Sequence, residues 1–208
     1  MKAITQLFFL LLPWGLGAQN TQVLHLKLLC EDQAIDTLQG NQLTNSGELY
    51  IINFKFYLST VKSGQAAKAE SVRLVDFKNE PCLLSLGAKD KLYFGVDSLL
   101  NAQGIHEGDL DPIKGMYWAW QTGYIHLKLE GWFKSPEGRR EEFVFHIGGF
   151  NHSGAGPYLI DLEQAGEWKI DLAPVLKWSF QNDIYRIMSP GPKADRFARY
   201  FVNSIQTK

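Results

Sequence analysis

The chain has 208 residues, of which 21 are basic and 22 acidic, so its formal net charge is −1. This length favours one substantial domain over two small ones. The even charge balance argues against nucleic acid or an anionic membrane surface as a partner, because both are bound through a strong positive field. Beyond the N-terminal region, no stretch is long and apolar enough to cross a bilayer.

Residues 1–18 predict a cleaved signal peptide. Lys2 supplies a positive start, an apolar run follows at 7–16, and small residues at 15–18 are typical of a cleavage region. The predicted organisation is therefore a signal peptide at 1–18 and one domain at 19–208. We expect the mature protein in the periplasm or outside the cell.

Two cysteines, Cys30 and Cys82, are present. In an oxidising compartment two thiols usually pair, so a disulfide is the favoured interpretation. Loop-closure entropy would make this disulfide worth roughly 4 kcal/mol. The competing idea, thiolate ligands for a metal, lacks the close C-x-x-C spacing that usually accompanies such sites.

The first half of the chain predicts several short strands separated by turns. Residues 22–29, 49–61, 71–77 and 91–97 have the composition and alternation of strands. The strongest is 49–61, in which one face is expected to lie in the core; that face consists of Tyr50, Ile52, Phe54, Phe56 and Leu58. Strands at such intervals indicate a sandwich or a barrel.

Residues 108–131 are unusually aromatic, with Trp118 and Trp120 on one face if the segment is extended. Gly123 interrupts the alternation, as glycines do at a bulge or a close backbone approach. Beyond it the pattern is that of a half-buried strand, in which Ile125, Leu127 and Leu129 oppose Tyr124, His126, Lys128 and Glu130. The segment before it, residues 101–115, is rich in glycine and acids and predicts a surface loop.

The second half predicts one more clear strand and a terminal helix. In residues 141–148 Phe143 and Phe145 share a face, and His146 lies on the opposite face. From 193 to 205 apolar residues recur at helical spacing, after a proline that suits a helix start. We therefore predict an all-β fold, an antiparallel β-sandwich with a C-terminal amphipathic helix.

Known catalytic motifs are absent from the sequence. It contains no G-x-S-x-G, no P-loop and no H-E-x-x-H. Metal binding is more plausible, since imidazole suits copper and zinc and the chain has five histidines: His25, His106, His126, His146 and His152. On chemistry alone, however, any one histidine is more often a surface or hydrogen-bonded residue. We expect a binding protein and no enzyme.

Two ordered motifs resemble a known family. GDLDPIKGMYWAWQTGYIHLKLEG at 108–131, followed by FVFHIGGF at 143–150, is similar to the MbnP-like family of periplasmic copper-binding proteins. Weaker likeness extends to INFKFYLSTV, YFGVDSLLN and IMSPG, so it spans most of the mature chain. The resemblance implies a single MbnP-like domain that binds copper, with His146 of the HIGG motif as a ligand.

The resemblance also implies a modified tryptophan. An indole nitrogen offers an N–H and no free lone pair, so an unmodified tryptophan is not a copper ligand. In the family a partner, a diheme cytochrome c peroxidase-like protein, oxidises tryptophan to kynurenine, whose aromatic amine can coordinate. The candidates here are Trp118 and Trp120; the bland interpretation is that both only fill the core.

The second histidine ligand is open. Where some members have an Asn-His pair, this chain has Asn101-Ala102, with His106 a few residues later. Either His106 substitutes from the loop, His25 contributes from the neighbouring strand, or this member binds copper poorly or not at all.

A different class of function also fits the aromatic segment. Exposed rings of Trp118, Trp120 and Tyr124 could form a platform for sugars in a carbohydrate-binding or surface-adhesion module. Exposure separates the two hypotheses, because a platform needs rings open to solvent and a copper site needs a histidine near an inward-facing indole. A subunit with only structural contacts is the third option.

Overall fold

The structure is a computed structural model that describes residues 21–35, 42–44, 47–62, 71–78, 83–87, 90–104, 106–119, 123–149, 158–160 and 166–207. The predicted signal peptide lies outside the described residues, as do Cys82, Trp120 and His152. Among the helices of the described residues, none has the length and apolar character to cross a membrane.

Fourteen strands and three α-helices are present in the described part of the chain. The strands are β1 Thr21–Cys30, β2 Gln33–Ala34, β3 Gln42–Thr44, β4 Gly47–Lys62, β5 Val72–Asp76, β6 Leu83–Gly87, β7 Asp90–Phe94, β8 Tyr117–Ala119, β9 Gly123–Lys134, β10 Arg140–Gly148, β11 Tyr158–Ile160, β12 Gly166–Asp171, β13 Arg186–Ile187 and β14 Ile205–Thr207. The helices are α1 Ser98–Gln103, α2 Ala173–Gln181 and α3 Pro192–Asn203.

The strands form two sheets. The first has the order β14-β12-β1-β2, with β6 also paired to β1, and the second has the order β11-β7-β4-β9-β10-β13. In the second sheet β3 and β5 also pair with β4, and β8 pairs with β9. The predicted all-β fold is thus confirmed. Two pairs, β1 with β12 and β10 with β13, are parallel instead of antiparallel, because the chain crosses over before it enters β12 and β13.

One large core joins both sheets and the two longer helices. Phe201 of α3 contacts Phe54 and Phe56 of β4, with ring centroids 6.0 and 5.4 Å apart. The buried face of α3 consists of Ala194, Phe197, Ala198 and Phe201, as the helical spacing predicted. The helix ends earlier than predicted, at Asn203, and Ile205 instead pairs with Ile170 as part of β14.

In β4 the buried face changes sides within the strand. The register with β9 shifts between Ile51 and Asn53, so Ile51 and Phe54 are both buried although they are three residues apart. Ile52 is 44% exposed and Tyr50 is half-buried, so the prediction that both face the core is wrong. A bulge adds one residue to the strand and thereby reverses the alternation, which strict alternation cannot anticipate.

A second, smaller core lies around the start of β9. Its buried members are Tyr57, Val72, Val96, Leu100, Leu110, Met116, Tyr124 and Ile125. It is covered by residues 97–115, which we call the cap segment; within the described part of it are α1 and two short 3-10 turns at Gly108–Leu110 and Pro112–Lys114. The predicted surface loop is therefore an ordered cover over the start of β9.

Candidate functional site

The outward face of β9 is polar, and its first part is completely buried. Tyr124 and His126 each have 0% exposure, whereas Lys128 and Glu130 further along the strand are half-buried. The first part is buried because the cap segment covers it. Asn101 and Leu110 of that segment are hydrogen-bonded to side chains of this face. Burial of polar groups is costly unless they are hydrogen-bonded, so the partners of these side chains matter.

Tyr124 is the residue at which the cap segment converges. Its backbone N–H donates to Asn101 Oδ1 at 3.0 Å, and its hydroxyl donates to the Leu110 carbonyl at 3.0 Å. The ring nitrogen Nδ1 of His106 lies 3.0 Å from the same hydroxyl. Burial is the largest of the effects that raise the pKa of Tyr124 to about 12. The neighbouring Tyr117 and Asp111 raise it further through charge repulsion. The phenol therefore stays neutral at physiological pH.

His126 is buried between Asn101 and Gly95. Asn101 Nδ2 lies 3.3 Å from His126 Nε2, and because the oxygen of that amide already accepts from Tyr124, its NH₂ group must donate to Nε2. Gly95 has φ +98°, and a Cβ there would come within 2.8 Å of His126 Nδ1. The imidazole is thus held by its surroundings, with the Nε2 lone pair already used.

Aromatic rings surround Tyr124. The rings of Tyr57 and Tyr124 meet edge to face at 5.9 Å, and those of Tyr117 and Tyr124 are 5.0 Å apart. His106, which is exposed, packs against Tyr117 at 4.6 Å. The Tyr57 hydroxyl donates to the Asp109 carbonyl at 2.9 Å, and burial raises the pKa of this phenol far above its ordinary value. The cluster places one accessible imidazole beside the strand that contains Trp118.

Trp118 has an unpaired indole N–H. The side chain is half-buried in β8 and packs against the smaller core. Among the described residues, its Nε1 is the one buried side-chain nitrogen or oxygen without a hydrogen-bond partner. A buried donor without an acceptor costs about 1–3 kcal/mol, so this atom calls for an explanation.

His146 lies on the same outward side of the second sheet and is paired with Glu130. The Nε2 of His146 is 2.6 Å from Glu130 Oε1. The other oxygen of that carboxylate accepts a hydrogen bond from Asn53, and Lys128 Nζ lies 3.7 Å from Glu130 Oε1. Burial raises the pKa of Glu130, but the hydrogen bonds from Asn53 and His146 and the charge of Lys128 outweigh it and hold that pKa below 4.5. Since an ionised carboxylate only accepts, Nε2 of His146 carries a hydrogen.

The strand register separates His146 from Trp118. His146 pairs with Lys128, whereas Tyr117, the neighbour of Trp118, pairs with Tyr124. Tyr124 and Lys128 are four positions apart on β9, which corresponds to about 13 Å along the strand. Across the described residues, no three or more His, Cys, Asp or Glu side chains cluster as a metal site would require. His106 and Trp118 therefore lie at one end of β9, and His146 lies further along it.

The other predicted site residues lie elsewhere or outside the described part. His25 is exposed on β1 of the first sheet. Cys30 is buried, and burial raises the pKa of its thiol to about 12. Since Cys82 is outside the described residues, the disulfide stays a prediction, and the same holds for any role of Trp120.

One element of the sugar-platform hypothesis is wrong. Tyr124 has 0% exposure and is covered by the cap segment, so it offers no face to a sugar ring. Trp118 is also partly buried.

Several residues that shape the site were not singled out by the sequence patterns. Asn101 and Glu130 act through partners far away in the chain, such as Asn53 with Glu130 at a separation of 77 residues. No local signal reports such contacts. The one usable hint was the polar face of β9, opposite Ile125, Leu127 and Leu129.

Comparison with known proteins gives a family. The family model MbnP matches residues 19–190. Among solved structures, MbnP from Methylosinus trichosporium is similar, with 15% sequence identity, coverage of 83% of this chain and 82% of that chain, and a TM-score of 0.48. A search of curated proteins gave no match. The family match spans most of the chain, and the protein therefore belongs to the MbnP family.

Proposed function

We propose that this protein is an extracytoplasmic copper-binding protein of the periplasm, and that it holds the metal at the end of β9 where His106 and Trp118 lie. The observation that carries the proposal is the buried Nε1 of Trp118, which has no hydrogen-bond partner among the residues that the structure describes. An unpaired buried donor destabilises the fold. If this nitrogen binds a metal after modification, that role explains why the protein retains it.

Trp118 becomes a ligand only after oxidation. Two equivalents of hydrogen peroxide, used by a haem peroxidase, cleave the C2–C3 bond of the indole and give N-formylkynurenine and two waters. Hydrolysis by one further water releases formate and leaves kynurenine. The aromatic amine of the product contains the former Nε1, now with a lone pair that copper can accept. The family resemblance supplies the enzyme class, a diheme cytochrome c peroxidase-like partner.

We propose His106 as the imidazole ligand of this site. It is exposed, it packs against the neighbour of Trp118, and imidazole is a good copper ligand. Only one of its ring nitrogens is occupied by the hydrogen bond to Tyr124. The residues present therefore fit a copper ion in donor type, with nitrogen from His106 and from a modified Trp118.

His146 is a further candidate, implied by the family motif. Its Nε2–H points to the Glu130 carboxylate, an arrangement common among metal-binding histidines because it fixes the ring and raises its basicity. Nδ1 would then be the coordinating atom. Its position further along β9 makes its role separable from that of His106.

A competition titration with a chromophoric Cu(I) chelator tests the proposal. The protein should be co-expressed with a diheme peroxidase, and the variants are His106→Gln, Trp118→Phe and His146→Gln, with His25→Gln as the control on the other sheet. We expect His106→Gln and Trp118→Phe each to weaken binding at least tenfold and His25→Gln to leave it unchanged. Unchanged affinity in both His106→Gln and Trp118→Phe would refute the site.

Peptide mass spectrometry tests the modification by itself. In kynurenine the tryptophan side chain has lost one carbon and gained one oxygen, and fragmentation assigns the change to position 118 or 120. Tight copper binding by a protein whose tryptophans are all intact would remove kynurenine from the proposal and leave the histidines.

A further inference from the structure

The hydroxyl of Tyr124 has one hydrogen and lies at hydrogen-bond distance from both a backbone carbonyl and an imidazole nitrogen. The Leu110 carbonyl and the Nδ1 of His106 each lie 3.0 Å from it. A carbonyl can only accept, so the hydroxyl hydrogen points to Leu110. The phenol oxygen then has only lone pairs to offer His106, and the hydrogen of that bond must come from Nδ1.

The opposite arrangement would leave a bond unmade. If Nδ1 of His106 had no hydrogen, the phenol would donate to it, and the oxygens of Tyr124 and Leu110 would face each other at 3.0 Å without a hydrogen between them. The carbonyl of Leu110, a residue with 0% exposure, would then lose the hydrogen bond from Tyr124, which is costly for a buried polar group.

Tyr124 is a fixed acceptor. Its backbone is tied to Asn101, its ring lies between those of Tyr57 and Tyr117, and none of it is exposed. The phenol oxygen therefore cannot turn away from His106 without breaking the packing of the smaller core.

We propose that Tyr124 is a positioning residue that fixes neutral His106 in the tautomer with hydrogen on Nδ1 and the lone pair on Nε2. Free histidine in water favours the other tautomer, so the fold inverts the ordinary preference. A Cβ at position 104 would lie 3.8 Å from this Nε2. Because the residue there is glycine, it places no side chain beside Nε2. Given the proposed function, Nε2 of His106 is the atom that coordinates copper.

The tautomer can be read without copper. Long-range ¹H–¹⁵N correlation spectra of the metal-free protein, about two pH units above the ordinary imidazole pKa of about 6.5, distinguish protonated from unprotonated ring nitrogens. We expect His106 to show a protonated Nδ1 and an unprotonated Nε2. A wild-type spectrum with the hydrogen on Nε2 overturns the inference, and this arm needs no variant.

Two matched variants isolate Tyr124. Tyr124→Phe removes the acceptor, and we expect His106 to shift toward the Nε2–H tautomer. Tyr57→Phe is the control, since its buried hydroxyl likewise donates to a cap-segment carbonyl, that of Asp109, but its hydroxyl is not the one that meets His106. The control should keep the wild-type tautomer; an equal shift in both variants would mean that general loosening of the cap sets the tautomer, which overturns the role of Tyr124.

Copper affinity separates this inference from the function itself. Loss of a residue that orients a metal ligand typically weakens binding tenfold to hundredfold, so Tyr124→Phe should do so and Tyr57→Phe should stay within about twofold. If Tyr124→Phe shifts the tautomer but binds copper normally, His106 is not a ligand and the proposed site is refuted. The role of Tyr124 in setting the tautomer would still hold. If His106→Gln weakens copper binding but the wild-type tautomer is Nε2–H, the inference fails and the site stands.

Discussion

From Tyr124 to Leu127 both faces of β9 are buried, but for different physical reasons. On the inner face Leu127 and Leu129 lie in the large apolar core, where removal of apolar area from water is itself favourable. On the outer face Tyr124 and His126 are just as buried, yet they are polar and each depends on a hydrogen-bond partner in the cap segment. The inner face therefore explains why the protein folds, and the outer face retains costly polar groups in the manner of a binding site.

The largest effect on stability should come from the inner face. Leu129→Ala creates a cavity in the large core, where the residue has 0% exposure, and we expect a loss of about 2–5 kcal/mol of unfolding free energy. Urea denaturation measures this loss. Copper affinity of the folded variant should be unchanged; a weakened affinity would mean that the two faces are not independent.

A smaller effect should come from the contact between Gly95 and His126. Gly95→Ala combines positive φ with a Cβ 2.8 Å from the imidazole, so we expect a loss of about 2–3 kcal/mol. Gly108→Ala is the matched control, because φ is +59° there and no atom of the described residues lies within 4 Å of the added Cβ. Its cost should be only the left-handed backbone term, about 1 kcal/mol. Equal costs for the two variants would show that His126 is not tightly held.

Glu130 should give a pH-dependent effect of about 1 kcal/mol, because its carboxylate is hydrogen-bonded by Asn53 and His146. Its pKa in the folded protein lies below 4.5, so its contribution is fully present above that pH and is lost as the pH falls through the folded pKa. We expect Glu130→Gln to be less stable than wild type near pH 7 and the difference to shrink in acid. A difference that stays constant from pH 7 to pH 3 would contradict this.

The smallest change in stability should follow the substitution with the largest functional effect. Trp118→Phe shortens a half-buried side chain but also removes the unpaired Nε1 donor, and these terms oppose each other. We expect a net change within about 1 kcal/mol by thermal or urea denaturation, together with the loss of copper binding. A large destabilisation would indicate that the indole serves the core alone.

Local patterns in the sequence were sufficient for the strands and for α3, because alternation and helical spacing report which residues face a core. They failed at β4, where the shift between Ile51 and Asn53 reverses the face, and at the parallel pairs, which depend on how distant segments return. The site is harder still. The Asn101–His126 and Tyr57–Asp109 bonds span 25 and 52 residues, and such partners become visible only in three dimensions.

The most direct test of copper on the outer face is an anomalous-difference map from crystals of the co-expressed, Cu(I)-loaded protein, with data on both sides of the copper absorption edge. We expect one strong peak within bonding distance of His106 Nε2 and of the side-chain nitrogen of residue 118. A peak elsewhere, such as beside Cys30 or His25, or none on the outward face of β9, would contradict the account.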